Sequence, residues 1–321
     1  MDRKVKADLA IMFCSLMWGT TFVLVKIGLD YASPFVYLAV RFTIAAVLMA
    51  LFRPQVVGKI KREEILTGSC LAFFMFASYC FQTAGLQYTT ATNSGFVSGT
   101  SVVLVPILLA LCWGRSQTKW IYAGSGAALI GLYFLTVPVE GLRHLNRGDI
   151  LTFVAAVFAA VYIILVGEYS RKYSIAALSL IQVAASAVMA WPLMGLAGAI
   201  HWQPMRWAWS WPLAVSILLC AVFATAVVFT VQLWAQQYTS PSHTAILLAL
   251  VPVFSVITSY VVLHERLTAR AWKGAWLVVG GILIAELLGE PATPATPEAA
   301  NPSSRAELIS SGGDGTVEIE S

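Results

Sequence analysis

Ile150–Gly167 reads ILTFVAAVFAAVYIILVG, a run without one charged residue in which only Thr152 and Tyr162 carry polar side-chain atoms. A helix needs about 20 predominantly apolar residues to cross the hydrocarbon core of a bilayer. A chain in lipid must also satisfy its own backbone hydrogen bonds, which favours helices, and this run is too long for a barrel strand. Outward from it, the same reading finds nine more spans. In the first half they are about Leu9–Leu29, Pro34–Phe52, Ile65–Leu86, Thr92–Trp113 and Trp120–Val139. In the second half Ile150–Gly167 is followed by about Ile175–Ile200, Trp211–Ala235, Ser242–Leu263 and Ala271–Leu288.

The rest of the composition agrees. The 321 residues are 59% hydrophobic and 11% charged, with mean hydropathy +0.78, whereas soluble domains carry about 25% charged residues. A water-soluble fold could not hide so much apolar surface, and ten spans leave no room for a soluble catalytic domain. The net charge of +4 comes from basic residues scattered through short loops, a pattern of membrane topology and not of nucleic-acid binding. Cys14, Cys70, Cys80, Cys112 and Cys220 all fall inside apolar runs and read as small core residues. Met1–Asp8 is short and charged, and the run after it lacks a cleavage pattern, so it reads as a retained first helix. Beyond Gly289 a Pro/Ala/Thr stretch gives way to Ser, Gly, Asp and Glu, the composition of a disordered tail.

Lysine and arginine set the orientation. With the N-terminus inside, the cytoplasmic segments hold twelve of them and the opposite side six, which places both termini in the cytoplasm.

The chain also repeats itself. Gln87-Tyr88-Thr89 recurs as Gln237-Tyr238-Thr239, and Gly124 and Gly131 recur as Gly274 and Gly281, all at an offset of 150; Val105-Pro106 answers Val251-Pro252 at 146. Five spans per half is an odd number, so the second half must enter the membrane from the opposite side. The expected fold is therefore an all-α membrane protein of ten transmembrane helices in two inverted five-helix repeats, an architecture whose solute site lies between the halves.

Trp18-Gly19-Thr20-Thr21-Phe22 with Lys26 in the first helix, Arg41-Phe42 in the second, a proline-centred helix late in each half, and Pro252 through Glu265-Arg266-Leu267 together resemble the EamA-type permeases of the drug/metabolite transporter superfamily. The likeness covers about residues 7 to 288. It implies a first EamA-like repeat over 1–139, a second over 140–289 and a cytoplasmic tail over 290–321. It further implies a central cavity and alternating access, most often for export of amino acids or related metabolites. The halves differ where Arg115 follows Pro106 but Glu265 follows Pro252.

Ionisable groups within spans cost several kcal/mol unless paired or wetted. Lys26, near the outer end of its helix, fits snorkelling. Arg41 lies about 10 Å below the start of its span, too deep for lipid. Its partner is either the carbonyls of a neighbouring helix or an anionic solute group, and Gln182 occupies the related position in the second half at an offset of 141. Both basic residues are taken as structural charges. The candidate solute contacts from the first half are Trp18, Thr21, Tyr79, Gln82, Asn93, Ser94, Ser98 and Ser101. Those from the second half are Tyr162, Phe229, Gln232 and His243. Asn93 and His243 are related by the offset of 150, at helix starts where polar residues either cap the helix or meet solute. Ser94, Ser98 and Ser101 are expected on one face. His243 could titrate near neutral pH but has no carboxylate partner visible in the sequence. Pro106 and Pro252 are hinges or fixed kinks. Gly124-x-x-x-Ala128 and Gly281-x-x-x-Ala285 offer close-packing faces, expected at the bundle edge or a dimer contact. Trp113, Trp120, Trp211 and Trp272 are interfacial belt residues.

The sequence thus points to a small-molecule solute and membrane lipid as partners, with a coupling proton or ion as a further candidate, and both monomer and homodimer fit. Nothing calls for a cofactor, a metal or a nucleic acid, and no residue is assigned a catalytic role. ATP is not the direct driver, because no Gly-x-x-x-x-Gly-Lys-[Ser/Thr] run is present. The competing reading is an intramembrane lipid-modifying enzyme, which needs His, Asp, Glu or Cys clustered at one depth.

Overall fold

A computed structural model describes residues 2–85, 88–89, 91–137, 146–200, 205–263 and 268–289, the side chains of 22, 23, 26, 91–93, 259, 262 and 263 excepted. All the helices belong to the unit Met1–Glu290. The expected tail, along with the side chains of Lys26 and Asn93, lies outside the described residues.

The helices in order are α1 (Arg3–Leu29), α2 (Pro34–Phe52), α3 (Pro54–Val57), α4 (Arg62–Gly85), α5 (Ala91–Gly99), α6 (Ser101–Trp113), α7 (Lys119–Thr136), α8 (Arg147–Tyr169), α9 (Ile175–Ala199), α10 (Trp211–Ala221), α11 (Val228–Ala235), α12 (Pro241–Leu248), α13 (Leu250–Leu263) and α14 (Ala269–Leu288), with a π-helical segment, Val222–Val227, joining α10 to α11. Among the described residues, eight helical stretches are long and apolar enough to cross a membrane: α2, α4, Ser94–Trp113, α8, α9, Trp211–Ala235, Pro241–Thr258 and α14. The other two expected spans fall on α1, whose first two turns carry Arg3, Lys4, Lys6 and Asp8, and on α7, which is rich in glycine and small residues.

Local chemistry marks several of the ends. Asn146 and Asp149 close a reciprocal capping box on α8, and Ser174, Ser210, Ser240 and Thr268 cap α9, α10, α12 and α14 with side-chain oxygens. Each cap satisfies a backbone N–H that the first helical turn leaves open. Gly114 ends α6 at φ 63°, the left-handed conformation that glycine takes without cost.

The interior departs from the expected unbroken spans in three places. The fourth span breaks at Thr100, whose N–H reaches only Val97 O, and the ninth at Ala249, which bonds Ile246 O. Both breaks precede the prolines: Pro106 sits inside α6 and Pro252 in the first turn of α13. In the eighth span the backbone widens into the π-helical segment instead of running straight through. Thr100 marks the turn between α5, which carries Ser94 and Ser98, and α6, which opens on Ser101, within the single helical stretch Ser94–Trp113.

Packing follows the small residues. The most extensive pairing joins α7 to α14, with the glycines directly opposed: an ideal Cβ on Gly124 would lie 2.5 Å from Gly281 O, and one on Gly131 would lie 2.8 Å from Gly274 O. The order reverses along the two helices, so they run antiparallel. The glycine faces thus meet each other within the chain, because only a surface without side chains lets two backbones approach so closely. Elsewhere α4 packs between α8 and α9, α2 lies on α9, and α1 lies against α13 and against α10 and α11.

Large apolar side chains face outward, among them Leu111 at 78% exposure and Val188 at 71%, a surface suited to hydrocarbon and not to water. Trp120, Trp211 and Trp272 are exposed near the starts of α7, α10 and α14, where a headgroup belt would meet them, while Trp113 packs against the core.

Alanine at Gly131 or Gly274 should destabilise the detergent-solubilised protein by about 1–3 kcal/mol through overpacking, read as a lower thermal midpoint. Alanine at Gly126 or Gly280, where a Cβ meets open space, should cost nothing and gain up to about 1 kcal/mol in helix propensity.

Candidate functional site

The π-helical segment is the anchor of the interior. A widened turn displaces carbonyls from the regular ladder and leaves them able to accept from elsewhere. Ala224 O accepts from Trp18 Nε1 at 2.9 Å and from Arg41 Nη2 at 3.4 Å. Arg41 Nε donates to Thr225 Oγ1 at 2.9 Å, and Thr225 Oγ1 in turn donates to Cys220 O at 3.0 Å. Arg41 is 4% exposed and, among the described residues, no carboxylate pairs with it. Of the two partners the sequence left open, the structure supplies the first, carbonyl and hydroxyl oxygens of a neighbouring helix.

Aromatic rings gather around this anchor. Trp18 of α1 meets Phe229 of α11 edge-on at 5.5 Å, and Phe229 meets Tyr162 of α8 at 6.3 Å. Tyr162 donates to Gln182 Oε1 of α9 at 3.2 Å. Phe42, next to Arg41 on α2, meets Tyr79 of α4 at 5.7 Å, and Tyr79 stands within electrostatic reach of both Arg41 and Tyr162. Side chains far apart in sequence, from α1, α2 and α4 on one hand and α8, α9 and α11 on the other, thus converge on one region. Edge-to-face rings thus pack around one guanidinium and a few fixed polar atoms.

The remaining candidates fall into smaller groups. Gln82 donates to Ser98 Oγ at 2.8 Å, joining α4 to α5, and Ser94 lies 3.5 Å from Thr152 of α8. Gln232 donates to Gln236 Oε1 at 3.3 Å, and Gln236 donates to Ile163 O at 3.0 Å. Thr21 turns back to Trp18 O on its own helix, and Ser101 opens α6. His243 stands with a different group: its Nδ1 is 3.1 Å from Glu286 Oε2. The carboxylate partner that was invisible in the sequence is therefore present, contributed by the far end of α14.

Thr225 and Gln236 escape a sequence reading, while Cys220 reads only as a small core residue and Glu286, near a span end, only as a solvated carboxylate, where the structure pairs it with Lys4 and His243. Thr225 gives one faint signal, a hydroxyl in an apolar span opposite an arginine that needs a partner. The π-helical widening has no compositional mark.

Thr225→Val keeps the shape but removes the acceptor for a buried guanidinium. It should cost about 1–3 kcal/mol, measured as a lower unfolding midpoint in detergent, while Thr20→Val, at a hydroxyl that bonds only to its own helix, stays within about 0.5 kcal/mol.

The EamA-like transporter family matches residues 5–137 and again 146–287. An uncharacterized transporter of Archaeoglobus fulgidus is 34% identical over 285 residues, covering 89% of this chain and 87% of its own. The uncharacterized transporter YoaV of Bacillus subtilis is 23% identical, covering 87% and 96%. A protein crystal structure superposes with TM-score 0.74 at 18% identity, over 88% of this chain and 97% of the other, a likeness of fold. A multi-pass, all-helical chain matched twice over by one family, and along nearly its whole length by transporters, belongs to the EamA-like transporter family.

Proposed function

We propose that this protein is a secondary transporter that moves small metabolites, amino acids or related amphipathic solutes, across the cytoplasmic membrane by alternating access, working as an exporter. The observation that carries the reading is the convergence of Trp18, Arg41, Tyr79, Tyr162 and Phe229 where helices of the two halves meet. That is where inverted-repeat carriers place their solute.

The two halves are read as inverted five-helix repeats over 1–139 and 140–289, with α1 and α7 completing ten spans. The contacts support this through an exchange relation. The offset of 150 carries Gly124 to Gly274 and Gly131 to Gly281, and it converts the contact Gly124 to Gly281 into the contact Gly274 to Gly131. In the same way, α4 on α8 is answered by α10 and α11 on α1, and α6 on α8 by α12 and α13 on α1. The twofold match of the family supports it as well. Lys and Arg favour both termini in the cytoplasm.

Alternating access requires the helices around the π-helical anchor to part on one side while closing on the other. Pro106 and Pro252, with the helix breaks just ahead of them at Thr100 and Ala249, are the flexible points assigned to that motion. Asn93, Ser94, Ser98, Gln82 and Gln232 are assigned to the polar lining of the route.

Purified protein in liposomes should show saturable exchange of at least one member of a radiolabelled panel of amino acids and related metabolites. Trp18→Ala and Tyr162→Ala should slow it at least 10-fold, about 1.4 kcal/mol, without loss of folded protein. Movement of no solute, together with turnover of a lipid, would replace the carrier with an intramembrane enzyme. A single cysteine at Lys59 should react with an impermeant maleimide only from the cytoplasmic side, and one at Met205 only from the outside; the reverse pattern overturns the orientation.

A further inference from the structure

Where α1 and α12 begin and α14 ends, four titratable side chains meet. Lys4 Nζ lies 2.8 Å from Glu286 Oε1, and His243 Nδ1 lies 3.1 Å from Glu286 Oε2. Asp8, four residues after Lys4 and so on the same helix face, stands in electrostatic contact with Lys4, His243 and Glu286, and its Oδ1 is buried without a hydrogen-bond partner. His243 is 4% exposed, and the hydroxyl of the neighbouring Ser242, fully buried, also lacks a partner.

Of the other charges near these elements, Lys6 of α1 is exposed, and Asp149 of α8 accepts from Thr89 and closes the capping box of its own helix. Arg3 of α1 lies over the Tyr238 ring. Among the helices packed on α12, α7 has Lys119 over Trp120 and α8 has Glu168 paired with Arg115, while α6 carries no charged residue.

The charge balance of the cluster is decisive. Two carboxylates and one ammonium leave a net charge of minus one while the imidazole is neutral, and one added proton brings the group to zero. Two of the members, Lys4 and Glu286, keep about a third of their side chains exposed, while His243 is nearly buried between them and Asp8, and the group is one proton short of electroneutrality.

The geometry points to Asp8, His243 and Glu286 as the binding site of the coupling proton, an inference that rests on the carrier reading above. One proton passes from water to the imidazole and is held between the two carboxylates. In that state the ends of α1, α12 and α14 draw together. Release of the same proton to water restores the net negative charge and loosens the contact. No other bond forms or breaks, and the proton crosses in exchange for solute.

The test uses full-length protein in liposomes with the same radiolabelled panel, measuring two quantities for whichever member moves: uptake driven by an imposed pH gradient, and exchange at equal pH. Gradient-driven uptake divided by exchange should exceed unity several-fold in the native protein and fall at least 10-fold in His243→Gln. The pH of half-maximal coupling supplies a readout that a merely structural role would not move. Asp8→Asn removes a negative charge and should lower it by about 1 pH unit, whereas Lys4→Gln removes a positive charge and should raise it by about as much. Opposite shifts support the site. Native uptake indifferent to the gradient, a coupled His243→Gln, or shifts of the same sign in Asp8→Asn and Lys4→Gln overturns it while leaving the carrier reading intact. Absence of any exchange in the native protein removes the carrier reading and the coupling together.

Discussion

Hydrocarbon offers no hydrogen bond, so a polar group carried into this bundle is costly unless the protein itself answers it. Arg41 shows the constraint at its most demanding. A guanidinium cannot shed its charge, and burial without partners would cost several kcal/mol. The chain answers by widening one turn of a helix almost 185 residues away in sequence, so that Ala224 O and Thr225 Oγ1 are free to receive it. Trp18 shares the same carbonyl, and one local irregularity thereby fixes α1 and α2 to the helix that runs from α10 into α11.

The second requirement is close approach. Lipid tails are as apolar as the helix faces, so burial of leucine gives helices little reason to associate, and shape has to supply it. Opposed glycines on α7 and α14 bring backbone against backbone, and Gly85, with Thr152 Oγ1 and Gly148 O directly above it, does the same between α4 and α8. These tight seams contrast with the aromatic region, where Trp18, Phe229, Tyr162 and Tyr79 meet edge to face.

Legibility in the sequence followed the range of the physics involved. Spans are set by runs of apolar residues, a local property, and Pro34–Phe52 matches the observed helix at both ends. Helix breaks at Thr100 and Ala249 were not legible, since the prolines that mark those helices sit beyond the actual breaks. Of the candidate solute contacts, Trp18, Tyr162 and Phe229 do come together, whereas His243 joins Glu286 at the end of the bundle. Composition could nominate both kinds of residue but could not sort them. Sorting depends on which helix faces which.

By itself the sequence determined that the chain lives in a membrane, that it is helical, and that its parts recur at an offset of 150, because apolar length and repetition are written residue by residue. Only the tertiary structure decided what each buried polar group would meet. Arg41 found carbonyl and hydroxyl oxygens, His243 found a carboxylate, and the glycine faces found each other. Such partners are chosen by packing between helices distant in the chain, and a hydrogen bond or a backbone contact is satisfied by geometry, which no local pattern encodes.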